Sequence, residues 1–158
     1  MKEPKILVGC PTSDHKDYCL NEYISSLRNL NYGNYDVLLV DNSQSQDYSK
    51  KIESMGIKVI KDEYVEPARK RIVNSRNILR EETINGGYDY LLSLEQDVIP
   101  PRDIIEKLLG HSLKIISGVY FKEYGVTRKG KAIGKIIMPL LYKEDKNFNS
   151  MPHLKDWL

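Results

Sequence analysis

The chain has 158 residues, a formal net charge of +2 and two cysteines. That length suits one ordinary α/β domain, able to bury roughly two-thirds of its unfolded surface without disulfide or metal staples. The small net charge argues against wholesale nucleic-acid binding. No apolar run reaches the roughly 18 to 20 residues that cross a bilayer, and Met1-Lys2-Glu3-Pro4-Lys5 opens on too short an apolar run for a signal-peptide core.

Apolar runs of strand length alternate with helical segments, the pattern of β–α units and a mainly parallel sheet. The first strand is expected over Lys5 to Cys10, followed by a helix from about Asp17 to Leu30, with Tyr23, Leu27 and Leu30 at helical spacing. Cys10 and Cys19 fall in these elements and read as reduced packing residues, which points to a soluble, cytoplasmic protein. A second strand is expected over Asp36 to Val40, a helix over Tyr48 to Met55 ending at Gly56, and a third strand over Ile57 to Ile60.

A longer helix is expected from Pro67 to Ile84. It places Ala68, Ile72, Ser75 and Leu79 on one face and is stopped by Gly86-Gly87. The fourth strand is Tyr90 to Leu94, and Pro100-Pro101 suits the first turn of a helix reaching Leu109. A fifth strand is expected over Lys114 to Phe121 and a further one over Lys135 to Tyr142, interrupted by Pro139. The strand runs are continuous rather than alternating, so the sheet is expected to be covered on both faces. Residues 1–121 are expected to form the core, and 122–158 a short extension of the same domain. Lys122 to Lys146 holds seven Lys or Arg against three acids, a local field that suits phosphate-bearing substrates or peripheral contact with an anionic membrane.

Ligands of open α/β sheets sit beyond the carboxyl ends of the strands. Here those ends carry Pro11-Thr12-Ser13-Asp14, Asp41-Asn42-Ser43, Asp62 and Glu95-Gln96-Asp97. Neighbouring carboxylates repel unless a cation or hydrogen-bond donors lie between them, and a divalent metal is the simplest such cation. Asp14, Ser43 and Asp62, taken singly, also fit plain helix N-caps.

Glu95-Gln96-Asp97 directly follows Tyr90-Leu91-Leu92-Ser93-Leu94 and is followed by Val98-Ile99-Pro100-Pro101. The stretch from Asp89 to Leu109 resembles the Asp-x-Asp region of inverting, family-two glycosyltransferases of GT-A fold. Lys5 to Asp14 resembles their first strand and nucleotide loop. Val37 to Ser43 resembles the second strand, and Asn74-Ser75-Arg76-Asn77 the family's Asn-x-x-Arg-Asn helix. The resemblance covers residues 5 to 121 in four ordered blocks and implies a three-layer α/β/α, Rossmann-like GT-A domain with a mainly parallel central sheet.

It also implies transfer of a sugar from a nucleotide diphosphate sugar to an acceptor hydroxyl, with inversion and a divalent metal, Mn2+ or Mg2+. Asp97 matches the metal ligand. Pro11, Thr12, Asp41, Arg76 and Glu95 match nucleotide-sugar-binding positions, with Asp41 toward the base and Arg76 toward the diphosphate. Gln96 departs from the pattern, since an acid often stands there. The region after Phe121 is short for an acceptor-binding half. Glu123, Glu144, Asp145, His153 and Asp156 fit surface charges better than a catalytic base, and no base is assigned.

Three other readings compete. A binding module of the same fold would keep the nucleotide and lack transfer. A phosphoacceptor signalling domain would need an acidic pair where Cys10-Pro11-Thr12 stands, and a nucleotidyltransferase would need a Gly-rich, Arg-containing loop after the first strand. Neither a Gly-x-Gly-x-x-Gly nor a Walker loop is present.

Overall fold

The structure is a computed structural model that describes residues 3–118, 121–128 and 131–139. The chain divides into two compact units, 1–111 and 112–158.

The first unit is built on four parallel strands in the order β3-β2-β1-β4: β1 Ile6–Thr12, β2 Tyr35–Asp41, β3 Lys58–Lys61 and β4 Tyr90–Ser93. Register pairs Thr12 with Asp41 and Asp41 with Lys61, so three strand ends stop level. The helices are α1 Leu20–Arg28, α2 Asp47–Ser54, α3 Ala68–Asn85 and α4 Ile104–Gly110.

Alternation along β1 divides the core. Ile6, Val8 and Cys10 pack with Tyr23, Ile24 and Leu27 of α1, Tyr48 and Ile52 of α2 and Ile105 of α4. Leu7 turns to the other face, where Leu38 and Val40 of β2 meet Leu79 of α3. A sheet covered on both faces explains why its strands read as continuous apolar runs, and the expected three-layer α/β/α architecture is present. Gly9 lets α3 approach, because a Cβ there would lie 2.9 Å from Leu79 Cδ2 and 3.0 Å from Leu91 Cδ1.

Several expected boundaries move. β1 runs on to Thr12, so Pro11 and Thr12 belong to the strand rather than to a loop after it. The helix expected from Asp17 starts as a 3-10 helix, Asp14–Cys19, and becomes α-helical at Leu20. The helix expected from Pro100 starts at Ile104 instead. A residue that precedes proline is pushed out of the α region, and this applies to both Ile99 and Pro100. The backbone instead turns at Glu95, whose carbonyl accepts from Val98 N at 3.0 Å.

In the second unit no strand spans residues 112–118, against the expectation of one over Lys114 to Phe121. An apolar run becomes a strand only where a neighbour completes its ladder, and Ser117-Gly118 weakens this one. The unit holds an antiparallel pair, β5 Phe121–Arg128 and β6 Lys131–Pro139, with an irregularity at Val126/Thr127. Residues 140–158, with Tyr142, Glu144, Asp145, His153, Asp156 and Trp157, lie outside the described residues.

Candidate functional site

All six residues singled out for binding lie in the first unit, at the carboxyl end of its sheet, and they fall into two layers. Pro11, Thr12 and Asp41 are buried, the last two only 3% and 0% exposed, and Gln96, 2% exposed, joins them. Glu95 and Asp97 are about half-exposed, and so are the cations they meet, Arg76 and Lys16.

The buried layer is a hydrogen-bonded frame. The Gln96 amide accepts from Thr12 Oγ1 at the end of β1. It donates from Nε2 to the Lys16 carbonyl at 2.9 Å and to Tyr48 Oη of α2 at 2.7 Å. One side chain thus joins β1, the 3-10 helix, α2 and the turn after β4. Burial pushes the Tyr48 phenol above its ordinary pKa, so it stays neutral within this network.

Asp41 accepts from Ser43 N at 2.8 Å and from Ser49 Oγ of α2, which folds the loop after β2 back on the strand end. Ser43 Oγ then accepts from Asp14 N at 2.8 Å. Ser75 of α3, fully buried, receives Asn42 Nδ2 at 3.2 Å and donates to Asp62 Oδ2 at 3.0 Å. Asp14, Ser43 and Asp62 are therefore not N-caps. Asp14 opens the 3-10 helix behind Ser13, while Gln46 and Pro67 precede α2 and α3.

The exposed layer follows from this frame. In the turn Glu95 to Val98, Gln96 points into the protein while Glu95 and Asp97 reach solvent. Ser75 holds α3 to the strand ends, and the next residue, Arg76, pairs with Glu95. Lys16, gripped through its carbonyl by Gln96, pairs with Asp97. The Asp97 hydrogen bond raises the Lys16 pKa, so the ammonium stays charged. Exposed ion pairs contribute only about 0–1 kcal/mol to stability. Their effect here is electrostatic: two carboxylates, each with its own cation, stand at one rim.

No three His, Cys, Asp or Glu side chains converge as a metal cage among the described residues. Glu95 and Asp97 instead offer hard carboxylate oxygens at an open rim. That donor set suits a cation that takes one or two carboxylates and completes its shell with substrate phosphates and water. Sequence reasoning missed Lys16, Tyr48 and Ser49, which carry no motif, and took Gln96 for a missing acid.

No protein-family model and no curated protein matches the sequence. Among solved structures the chain is similar to the mannosyltransferase PcManGT from Pyrobaculum calidifontis in complex with GDP-Man and Mn2+. The TM-score is 0.50 at 16% identity, over 68% of this chain and 32% of that one. It is also similar to S. aureus TarS 1-349 in complex with UDP-GlcNAc, with TM-score 0.47 and 19% identity, over 67% of this chain and 30% of that one. The chain spans about a third of the length of these structures. At such identity the likeness to the mannosyltransferase establishes the fold alone, a GT-A-like α/β/α domain. No helix among the described residues is long and apolar enough to cross a membrane.

Proposed function

We propose that this chain is the donor-binding part of a glycosyltransferase that passes a sugar from a nucleotide diphosphate sugar to an acceptor hydroxyl. The observation that carries it is the rim at the carboxyl end of the sheet, where the ion pairs Arg76–Glu95 and Lys16–Asp97 stand on a buried hydrogen-bonded frame.

A nucleotide diphosphate leaving group gains negative charge as the sugar bond breaks, so the site must offer cationic groups that are already in place. Arg76 presents a fixed fork of donors to the diphosphate from α3. Asp97, with Glu95 beside it, would hold a divalent cation, Mn2+ or Mg2+, which supplies Lewis-acid stabilisation of the departing diphosphate. Pro11 and Thr12 frame the nucleotide side of β1, and Asp41 holds the loop that borders the base. The acceptor attacks by direct displacement with inversion, as the resemblance to family-two enzymes implies.

Calorimetry with UDP, GDP and their sugars, with and without Mn2+, tests the reading. Metal-dependent binding of one nucleotide diphosphate in the micromolar to millimolar range is expected, and absence of binding to all of them overturns it. Binding without any transfer or hydrolysis would leave a binding module of the same fold.

A further inference from the structure

The geometry points to Lys16 as a built-in counter-ion: its ammonium holds Asp97 before ligand arrives and passes to the diphosphate when the donor and a divalent cation bind. This rests on the donor site proposed above and adds a residue to it.

The backbone of Lys16 is held on both sides. Its N–H donates to the Ser13 carbonyl at 2.9 Å, and its carbonyl accepts from Gln96 Nε2 at 2.9 Å. Gln96 is 2% exposed and tied to Thr12 and Tyr48 as well, so the root of the lysine is anchored to the buried frame. The head is not. Its side chain is 40% exposed on a flexible four-carbon stem, against a carboxylate that is 42% exposed. Such an ammonium is a mobile point charge, unlike the rigid fork of Arg76.

Asp97 cannot hold the ammonium and a divalent cation in one place, because the two cations repel at contact distance. Arrival of the metal therefore displaces Nζ from the carboxylate. The diphosphate that accompanies the metal is the nearest new anion, and a lysine is well suited to bind phosphate as a point charge. Two consequences of opposite sign follow. Lys16 weakens binding of a divalent cation alone, by competing for Asp97, and strengthens binding of the cation with a nucleotide diphosphate. The site then takes metal and nucleotide together rather than metal first.

The test uses the full chain as wild type, Lys16→Met, Lys16→Gln and Lys16→Arg. Binding of Mn2+ alone is followed by the paramagnetic resonance signal of the free ion, and binding of UDP or GDP at saturating Mn2+ by calorimetry. Lys16→Met and Lys16→Gln should bind Mn2+ alone about two- to fivefold more tightly and the nucleotide diphosphate with Mn2+ roughly tenfold more weakly. Lys16→Arg should shift both constants back toward wild type. If the two constants move in the same direction, or neither moves, in variants whose wild type binds the nucleotide, the assignment of Lys16 is wrong and the donor site stands. If the wild-type chain binds no nucleotide diphosphate at any Mn2+ concentration, the donor site itself falls, and Lys16 with it.

Discussion

Gln96 sits between two exposed carboxylates and is itself sealed inside, with its amide oxygen and both N–H donors of its amide nitrogen used: a bond from Thr12 and bonds to Lys16 and Tyr48. An aspartate or glutamate there would have no N–H for the Lys16 carbonyl, so the departure from the acidic triplet has a physical reason in this chain. Replacing it by leucine removes the Gln96 bonds of two buried hydroxyls, Thr12 and Tyr48, and one bond to the Lys16 carbonyl, which should cost about 1–3 kcal/mol in urea unfolding. Asp97 behaves differently because it reaches solvent. Asp97→Ala should remove the Mn2+ dependence of nucleotide binding while thermal unfolding stays close to wild type, since an exposed pair contributes little. Unchanged metal dependence in that variant would show that the cation is held elsewhere. The sequence exposed Asp97, Glu95 and Arg76 through their motifs, but Lys16 has no motif: the hold of Ser13 and Gln96 on its backbone brings it to Asp97.

At the scale of elements, apolar spacing located the strands and helices of the first unit, because burial on two sheet faces imposes it. Leu79, one of the spaced residues of α3, is fully buried against Leu7, Leu38 and Val40. Leu79→Ala should cost about 2–5 kcal/mol, read as a lower urea midpoint with unchanged slope. It should also weaken nucleotide binding, because α3 carries Arg76 to the rim. Ile72 shows the limit of spacing as a guide: it shares the expected face with Leu79, yet it is 44% exposed. Helix spacing states which residues share a face, not how far the sheet beneath them extends. The same limit explains Lys114 to Phe121, where apolar composition suggested a strand and no ladder forms over 112–118.

For the whole molecule, the buried polar and titratable groups set how stability follows pH. Burial pushes the Cys10 thiol up to about 12 from an ordinary value of 9.0. The folded state therefore keeps a proton that the unfolded chain loses above about pH 9, and unfolding is favoured as pH rises through that window. Stability should fall there by up to about 1.4 kcal/mol per pH unit from this one group. Urea unfolding between pH 8 and 11 measures it, and Cys10→Ala should flatten the slope; an equal slope in the variant would assign the loss to other groups. The sequence by itself determined the order of β–α units, the double-sided burial of the sheet and the acidic corner after the fourth strand, because those depend on local period and on residues adjacent in the chain. Only the tertiary structure decided that Thr12 and Asp41 lie buried in the frame, that Gln96 is its joint, and that Lys16 and Arg76 face Asp97 and Glu95. Apart from the bonds of Asp41 to Ser43 and Ser49, those contacts join residues distant in sequence, and their pairing is set by strand register and helix packing, which no local pattern encodes.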